Sequence, residues 1–243
     1  MKILVTNDDS INSPYLKEIV RLLKGEGHEV MVVAPLYQQS AKSHALTLGV
    51  PMKLEKHPDI VEGVTTYSLD ASPASCTKFA FVHLDYDFDL VVSGCNNGLN
   101  MGDDIIYSGT VAGASEAAFL GKKGLAVSVE VGDMEALTNN FVDVFRLIIN
   151  SEIYDIADTL NINIPTVVKG LKITHQGINT FDTEFIETKE GFLATGKTLY
   201  GVLENKPTCD LDAYHAGYVS ITPITVDRTD YNVYNIYERN MFK

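Results

Sequence analysis

Asn7-Asp8-Asp9-Ser10 follows the apolar run Lys2-Ile3-Leu4-Val5-Thr6 without a break. A short apolar run of this kind predicts a strand buried on both faces of a parallel sheet. The two carboxylates then fall at its carboxyl end, where open α/β sheets bind ligands. Adjacent carboxylates repel, and a divalent cation is the simplest partner that keeps both ionised at neutral pH. The same four residues also read as a polar turn capping the next helix.

Two further loops carry groups that suit such a cation. Ser40 lies in the polar segment Leu36 to His44, and Asn96 to Thr110 follows the buried run Asp89-Leu90-Val91-Val92-Ser93. If the strands before them are neighbours, all three loops leave one sheet edge. Two carboxylates, a hydroxyl and a carboxamide are hard oxygen donors, which fit Mg²⁺ or Mn²⁺ and fit Zn²⁺ or copper poorly. Beside them, Ser108-Gly109-Thr110 opens a helix whose first N–H groups form a cradle for phosphate. A cation next to an anion cradle points to hydrolysis of a phosphate ester, with the helix end and Asn100 stabilising the developing negative charge. No Gly-x-x-x-x-Gly-Lys-Ser/Thr loop occurs, which disfavours nucleoside triphosphate turnover of the P-loop kind. Taken singly, Asn96 and Asn100 also read as turn residues, and Ser108 to Thr110 as a plain helix cap.

The elements that must position these groups are legible as a doubly wound, mostly parallel α/β sheet of Rossmann-like type with a C-terminal β-hairpin extension. Ser13-Pro14 predicts a capped helix start, with Leu16, Ile19, Val20 and Leu23 in phase, and Val30 to Ala34 is the next buried strand. Alternation near 45–50 and 52–55, joined at Val50-Pro51, suggests a hairpin. Thr65 to Leu69 is a strand, and Ser72-Pro73 starts a helix with Cys76, Phe79, Ala80 and His83 on one face, His83 reading as a core-edge histidine. A small-residue helix follows Thr110. Leu125 to Val129 closes the parallel set, and Met134 to Ile149 is a covering helix. The texture changes near residue 160: 161–165 and 171–174 are strands, 181–205 suits a long hairpin arm, and Gly217 to Ile224 is a strand before a polar, tyrosine-rich tail. Residues 1–160 thus form the catalytic domain, and 161–243 supply the strands, arm and tail that complete the domain and an oligomer.

The 243 residues are 45% hydrophobic and 21% charged, an ordinary globular composition. No stretch of about 18 apolar residues occurs, and the N-terminus has no long apolar leader, so a soluble cytoplasmic protein without a membrane partner is expected. Cys76, Cys95 and Cys209 are odd in number and widely spaced, which indicates neither a disulfide framework nor a zinc cluster. A formal charge of -13 argues against binding nucleic acid duplexes or anionic lipid. An anionic ligand must therefore be attracted by local devices such as a cation or a helix N-terminus. His44 could protonate a leaving alkoxide or stand on the substrate side. His28, His57, His175 and His215 show no ligating pattern.

Asn7-Asp8-Asp9, Val33-Ala34-Pro35 followed by Ser40, Ser93-Gly94-x-Asn96-x-Gly98-x-Asn100, Tyr107-Ser108-Gly109-Thr110-Val111 and Gly217-Tyr218-Val219-Ser220-Ile221-Thr222-Pro223 occur in this order over nearly the whole chain. In these motifs the sequence resembles the SurE survival-protein family of metal-dependent nucleoside monophosphate phosphatases. The resemblance implies one divalent cation per subunit on Asp8, Asp9, Ser40 and Asn96, with Asp8 and Asp9 catalytic and Asn100, Ser108, Gly109 and Thr110 around the phosphate. It also implies hydrolysis of nucleoside 5'- and 3'-monophosphates, and a homodimer or homotetramer in which the hairpin arm reaches a neighbour. Two positions depart from the family pattern: Ser10 replaces glycine, and Ser75 replaces a carboxylate. The rival readings are a phosphoacceptor signalling domain, a glycosyltransferase and a non-catalytic nucleotide sensor. The first lacks an acceptor aspartate at Ser93-Gly94 and a lysine at Ser128-Val129-Glu130, and the second lacks room for another nucleotide-sugar domain.

Overall fold

Ile3, Leu4 and Val5 have no solvent exposure, and their side chains alternate between two separate apolar cores. This places the first strand in the middle of a three-layer molecule. The computed structural model describes residues 1–200 and 207–238, with backbone alone at 180, 181 and 197–200. Its elements run β1 (Lys2–Thr6), α1 (Pro14–Gly25), β2 (Glu29–Pro35), β3 (Leu54–His57), β4 (Thr65–Leu69), α2 (Pro73–Val82) and β5 (Leu90–Asn97). They continue with α3 (Gly109–Phe119), β6 (Lys123–Val129), α4 (Met134–Ile149), α5 (Glu152–Ile156), β7 (Thr159–Ile164) and β8 (Leu171–Ile173). The hairpin β9 (Asn179–Thr188) and β10 (Gly191–Tyr200), then α6 (Asp210–His215), β11 (Val219–Ile224) and α7 (Tyr231–Glu238) complete the chain.

The main sheet has nine strands in the order β3-β4-β2-β1-β5-β6-β7-β11-β8. Strand order proceeds outward from β1 through β2 and β4 on one side, and from β5 through β6 and β7 on the other. The reversal falls between β1 and β5, which pair in parallel from Ile3↔Leu90 to Thr6↔Ser93. Loops leaving two strands at such a reversal turn to opposite faces and leave a crevice between them. One face of the sheet is covered by α1 and α4 through Leu16, Ile19, Leu23, Leu137, Phe141 and Phe145, and the other by α2 and α3 through Cys76, Ala80 and Ala117. Among the described residues no helix is long and apolar enough to cross a membrane.

Three local expectations are corrected. Residues 45–50 form no strand, so the hairpin around Val50-Pro51 is absent, and β3 pairs antiparallel with β4 instead. Proline removes a ladder donor there, and the segment spends its polar groups on the start of α2: Ser72 Oγ donates to Ala45 O (2.6 Å) and Thr47 N to Ser75 Oγ (2.8 Å). The parallel set does not close at β6, because β7 adds to it in parallel from Gly124↔Thr159 to Val129↔Ile164. Residue 160 therefore lies inside a core strand, with α4 as the crossover. Finally, Ser13 stands at the start of α1 without a side-chain cap bond, leaving Pro14 as the helix-starting signal, and the tyrosine-rich tail contains α7. The antiparallel arm is present as β9 and β10, and residues 201–205 of the expected hairpin lie outside the described residues.

Candidate functional site

Asp8 is buried in the crevice, 5% exposed, two residues past the end of β1. Its Oδ1 accepts a 2.5 Å hydrogen bond from Thr110 Oγ1, the second residue of α3, and its carbonyl accepts from Gln39 N at 2.7 Å. A methyl group on Gly109 would lie 2.9 Å from Asp8 Cβ and 3.0 Å from Asp8 Oδ2, so glycine is what lets the first turn of α3 sit against the carboxylate. Burial pushes the Asp8 carboxyl up to about 6, the Thr110 bond opposing and the Asp9 charge adding to the rise. Asp9 is less deeply placed. Its Oδ2 accepts from Asn97 N at 3.1 Å, and its Oδ1 is 3.5 Å from Gln38 Nε2, which also donates to Ser40 Oγ at 3.1 Å. Gln38 thus ties the exposed Ser40 to the Asp pair across the β2 loop.

Asn96 reaches this point through an irregularity. The β5–β6 register shifts between Ser93 and Asn96, and the Gly94–Cys95 peptide is cis. Gly94 has φ +134, and a Cβ there would lie 2.4 Å from the Val127 carbonyl oxygen, so no other residue fits. A bulge of this kind re-aims the side chain that follows. The Asn96 amide nitrogen donates to Gly98 O at 2.7 Å, which leaves its oxygen as the end available to a cation.

At the start of α3, Ser108 Oγ accepts from Val111 N at 3.1 Å. It caps the helix, yet its hydroxyl hydrogen remains to be donated. The backbone N–H of Gly109 is one of the unpaired donors expected in the first turn of a helix, and that of Thr110 faces the Asp8 carboxylate and helps to hold its pKa down. The structure therefore brings Asp8, Asp9, Ser40, Asn96, Ser108, Gly109 and Thr110 to one rim. It does not bring the Asn100 amide nitrogen there. Asn100 is buried, and its Nδ2 donates inward to Ser128 Oγ at 2.8 Å.

The set fits a hard divalent cation. Asp8 is a buried carboxylate beside a second one, partnered by the Thr110 hydroxyl and backbone N–H groups but by no cationic side chain among the described residues, and Asn7 Oδ1 at the same turn is a buried oxygen without a hydrogen-bond partner among them. Oxygen donors from separate loops, open on one side, suit Mg²⁺ or Mn²⁺ with remaining positions filled by water or ligand.

Sequence reasoning missed four contributors. Gln38 carries no periodic signal. Asn161 and Asn163 sit in the fully buried β7 and hold the Asn100 peptide: Asn163 Oδ1 accepts from Asn100 N (2.9 Å), while Asn161 and Asn163 Nδ2 donate to Asn100 O at 2.8 and 3.0 Å. Glu116 is 2% exposed within α3, and the one signal for it was a lone carboxylate in a run of small residues. Its oxygens take His44 Nε2 at 2.8 Å and Lys78 Nζ at 2.7 Å. Burial raises its pKa, but these two bonds outweigh that and hold it below the usual carboxylate range. His44 is thereby fixed two turns along α3 from Thr110. His83 is exposed, its ring 4.6 Å from that of Phe79. A pocket of about 720 Å³ runs from Ser108 to His44, Lys78 and Glu116.

Residues 3–183 match the family described as Survival protein SurE. The 5'-nucleotidase SurE of Natranaerobius thermophilus is 37% identical, covering 97% of this chain and 96% of that protein, and the 5'-nucleotidase SurE of Clostridium beijerinckii is 36% identical, covering 96% of each. The crystal structure of the SurE protein from Aquifex aeolicus superposes with a TM-score of 0.81 at 31% identity, over 98% of this chain and 99% of that one. With its sequence matched nearly end to end and its fold shared, the chain belongs to the SurE survival-protein family.

Proposed function

We propose that the protein hydrolyses nucleoside 5'-monophosphates, and 3'-monophosphates, to nucleoside and phosphate. It does so with one Mg²⁺ or Mn²⁺ per subunit on Asp8, Asp9, Ser40 and Asn96. The observation that carries the reading is the direct bond from Thr110, in the first turn of α3, to Asp8. It joins the anion cradle to the carboxylate pair at one point. Relatives named 5'-nucleotidase SurE, matched over nearly their whole length, support the substrate class. When bound, the cation polarises a phosphoryl oxygen and lowers the pKa of a neighbouring water. The Gly109 N–H and the Ser108 hydroxyl receive the non-bridging oxygens and stabilise their growing charge, with Thr110 holding Asp8 beside them. Asp8 orients the attacking water and takes its proton, with Thr110 fixing the carboxylate's direction and Asp9 held by Asn97 N. Asn100 secures the loop from behind through Ser128 and β7. We further assign the protein to the cytoplasm, as a homodimer or homotetramer.

The test is phosphate release from a panel of 5'- and 3'-nucleotides with chelator, then with Mg²⁺ or Mn²⁺ restored. Release that stops with chelator and returns with metal is expected, and Asp8→Asn should lower it by about a thousandfold or more with unchanged circular dichroism. Undiminished activity in chelator or in Asp8→Asn would overturn the assignment. Nucleotide binding without release would instead make the protein a sensor, and stoichiometric self-phosphorylation a signalling domain.

A further inference from the structure

The phosphate cradle does not end at Ser108. One face of α3, read at helical spacing as Ser108, Ala112, Ser115, Glu116 and Phe119, floors the 720 Å³ pocket. Its volume lies in the range of small-molecule sites. A rise of about 1.5 Å per residue sets Glu116 about 12 Å along the axis from Ser108. A nucleotide whose phosphate sits on the first turn of α3 would therefore run along this face, with its base beside Glu116. The exposed ring of Phe119 lies 5.9 Å from the His44 ring and offers the base an aromatic wall.

The polar groups at that end are fixed before any ligand arrives. Loop 43–47 is pinned at three points: Ser43 N to Tyr107 O (2.8 Å), Ser72 Oγ to Ala45 O (2.6 Å) and Thr47 N to Ser75 Oγ (2.8 Å). Ser75 is one of the two positions that depart from the family pattern, and here its hydroxyl does the pinning. Both oxygens of Glu116 are engaged and the residue is 2% exposed, so it is closed to a base amino group. Lys78 is different. Its side chain is 46% exposed, and after its bond to Glu116 the ammonium still has donors to offer the pocket. Arg228, the other cation of the lining, is also exposed.

We propose that Lys78, braced by Glu116, is a specificity-determining residue that selects purines presenting acceptors at O6 and N7, as in hypoxanthine and guanine, over the 6-amino purine adenine. A lysine facing O6 and N7 makes two favourable contacts, whereas the adenine amino group places donor against donor. The inference rests on the nucleotidase reading above. The cleanest probes are inosine and adenosine 5'-monophosphates, which differ in the base only at position 6 and in the proton on N1.

Two measurements keep the readings separable. The ratio of kcat/KM for the two nucleotides is taken with Mn²⁺, and the ratio of their Kd values by equilibrium dialysis in chelator, where turnover is absent. Wild-type protein is expected to favour the 6-oxo nucleotide about tenfold or more in both. Lys78→Met should collapse that ratio toward one, while Lys78→Arg, which keeps the donors and the partner of buried Glu116, should retain it. Should Lys78→Met fail to fold, the double variant Lys78→Met with Glu116→Gln removes the charge pair together and is expected to give the same collapse. A wild-type ratio near one, a preference for the 6-amino nucleotide, or selectivity unmoved in a folded Lys78 variant overturns the proposal while leaving the nucleotidase reading intact. Selective binding without phosphate release would sink the nucleotidase reading and leave this one standing.

Discussion

Ser10 holds φ +80, in the left-handed region where a Cβ crowds the following carbonyl and glycine is at ease. The turn keeps this geometry because its hydrogen bonds fix it: the Ser10 carbonyl accepts from Asn7 Nδ2 at 2.9 Å and from Ser13 N at 3.1 Å, and Ser10 Oγ accepts from Asn12 N at 3.3 Å. The family pattern has glycine here, and the backbone angle explains why. Ser10→Gly relieves the strain, offset in part by the greater freedom of glycine in the unfolded chain, for a net gain of about 0.5–1 kcal/mol. A higher urea midpoint at unchanged m-value is the expected result. A lower midpoint would mean that the Ser10 hydroxyl bond outweighs the backbone strain. The same turn carries Asp8 and Asp9, so strain at Ser10 is the local consequence of presenting two carboxylates at the end of a buried strand.

At the scale of elements, β7 is the least obvious support of the site. Asn161 and Asn163 have no exposure, and two amides inside a buried strand are costly unless bonded. Here they close on the peptide of Asn100 and set the path of the loop that begins at Asn96. Asn163→Ala leaves the Asn100 N–H buried and unpaired, a loss of about 2 kcal/mol. Outer-shell supports of this kind also tune metal affinity, so the Mn²⁺ concentration for half-maximal activity is expected to rise about tenfold. An unchanged metal titration in a destabilised variant would confine Asn163 to a structural role. The contrast with β1 explains what the sequence made legible. Burial on both faces leaves an unbroken apolar run, and proline after serine marks a helix start, so β1, β2, β5, α2 and the Asp pair could be read from neighbours in the chain. Asn100 and Asn163 are 63 positions apart, and their pairing depends on β7 lying next to β6, which no local pattern encodes. For the same reason the alternation near Pro51 misled: its polar groups are claimed by Ser72 and Ser75, more than twenty residues away.

On the scale of the whole molecule, the arm poses the remaining demand. β9 and β10 form a two-stranded sheet separate from the nine-stranded one. In its register Phe192 faces Glu187, and Leu193 faces Ile186. Side chains two apart on a strand share a face, so Phe185 and Phe192 lie on one side and Ile186 and Leu193 on the other. All four are at least half exposed, and Tyr231, Val233, Ile236 and Tyr237 of α7 are as well. A lone hairpin in water is marginal at best, and apolar side chains on both of its faces require cover on both. A second copy of the chain supplies that cover in the dimer or tetramer we propose. Each copy carries a formal charge of -13, so association works against long-range repulsion, which salt screens. Light scattering is therefore expected to give at least twice the 26.7 kDa chain mass, with dissociation on dilution occurring at lower protein concentration as KCl rises. Phe185→Glu with Phe192→Glu places two more charges on one face of the arm and should yield a 26.7 kDa species whose main-sheet circular dichroism is retained. A wild-type monomer at micromolar concentration, or an assembly indifferent to both substitutions, would remove the arm from the interface.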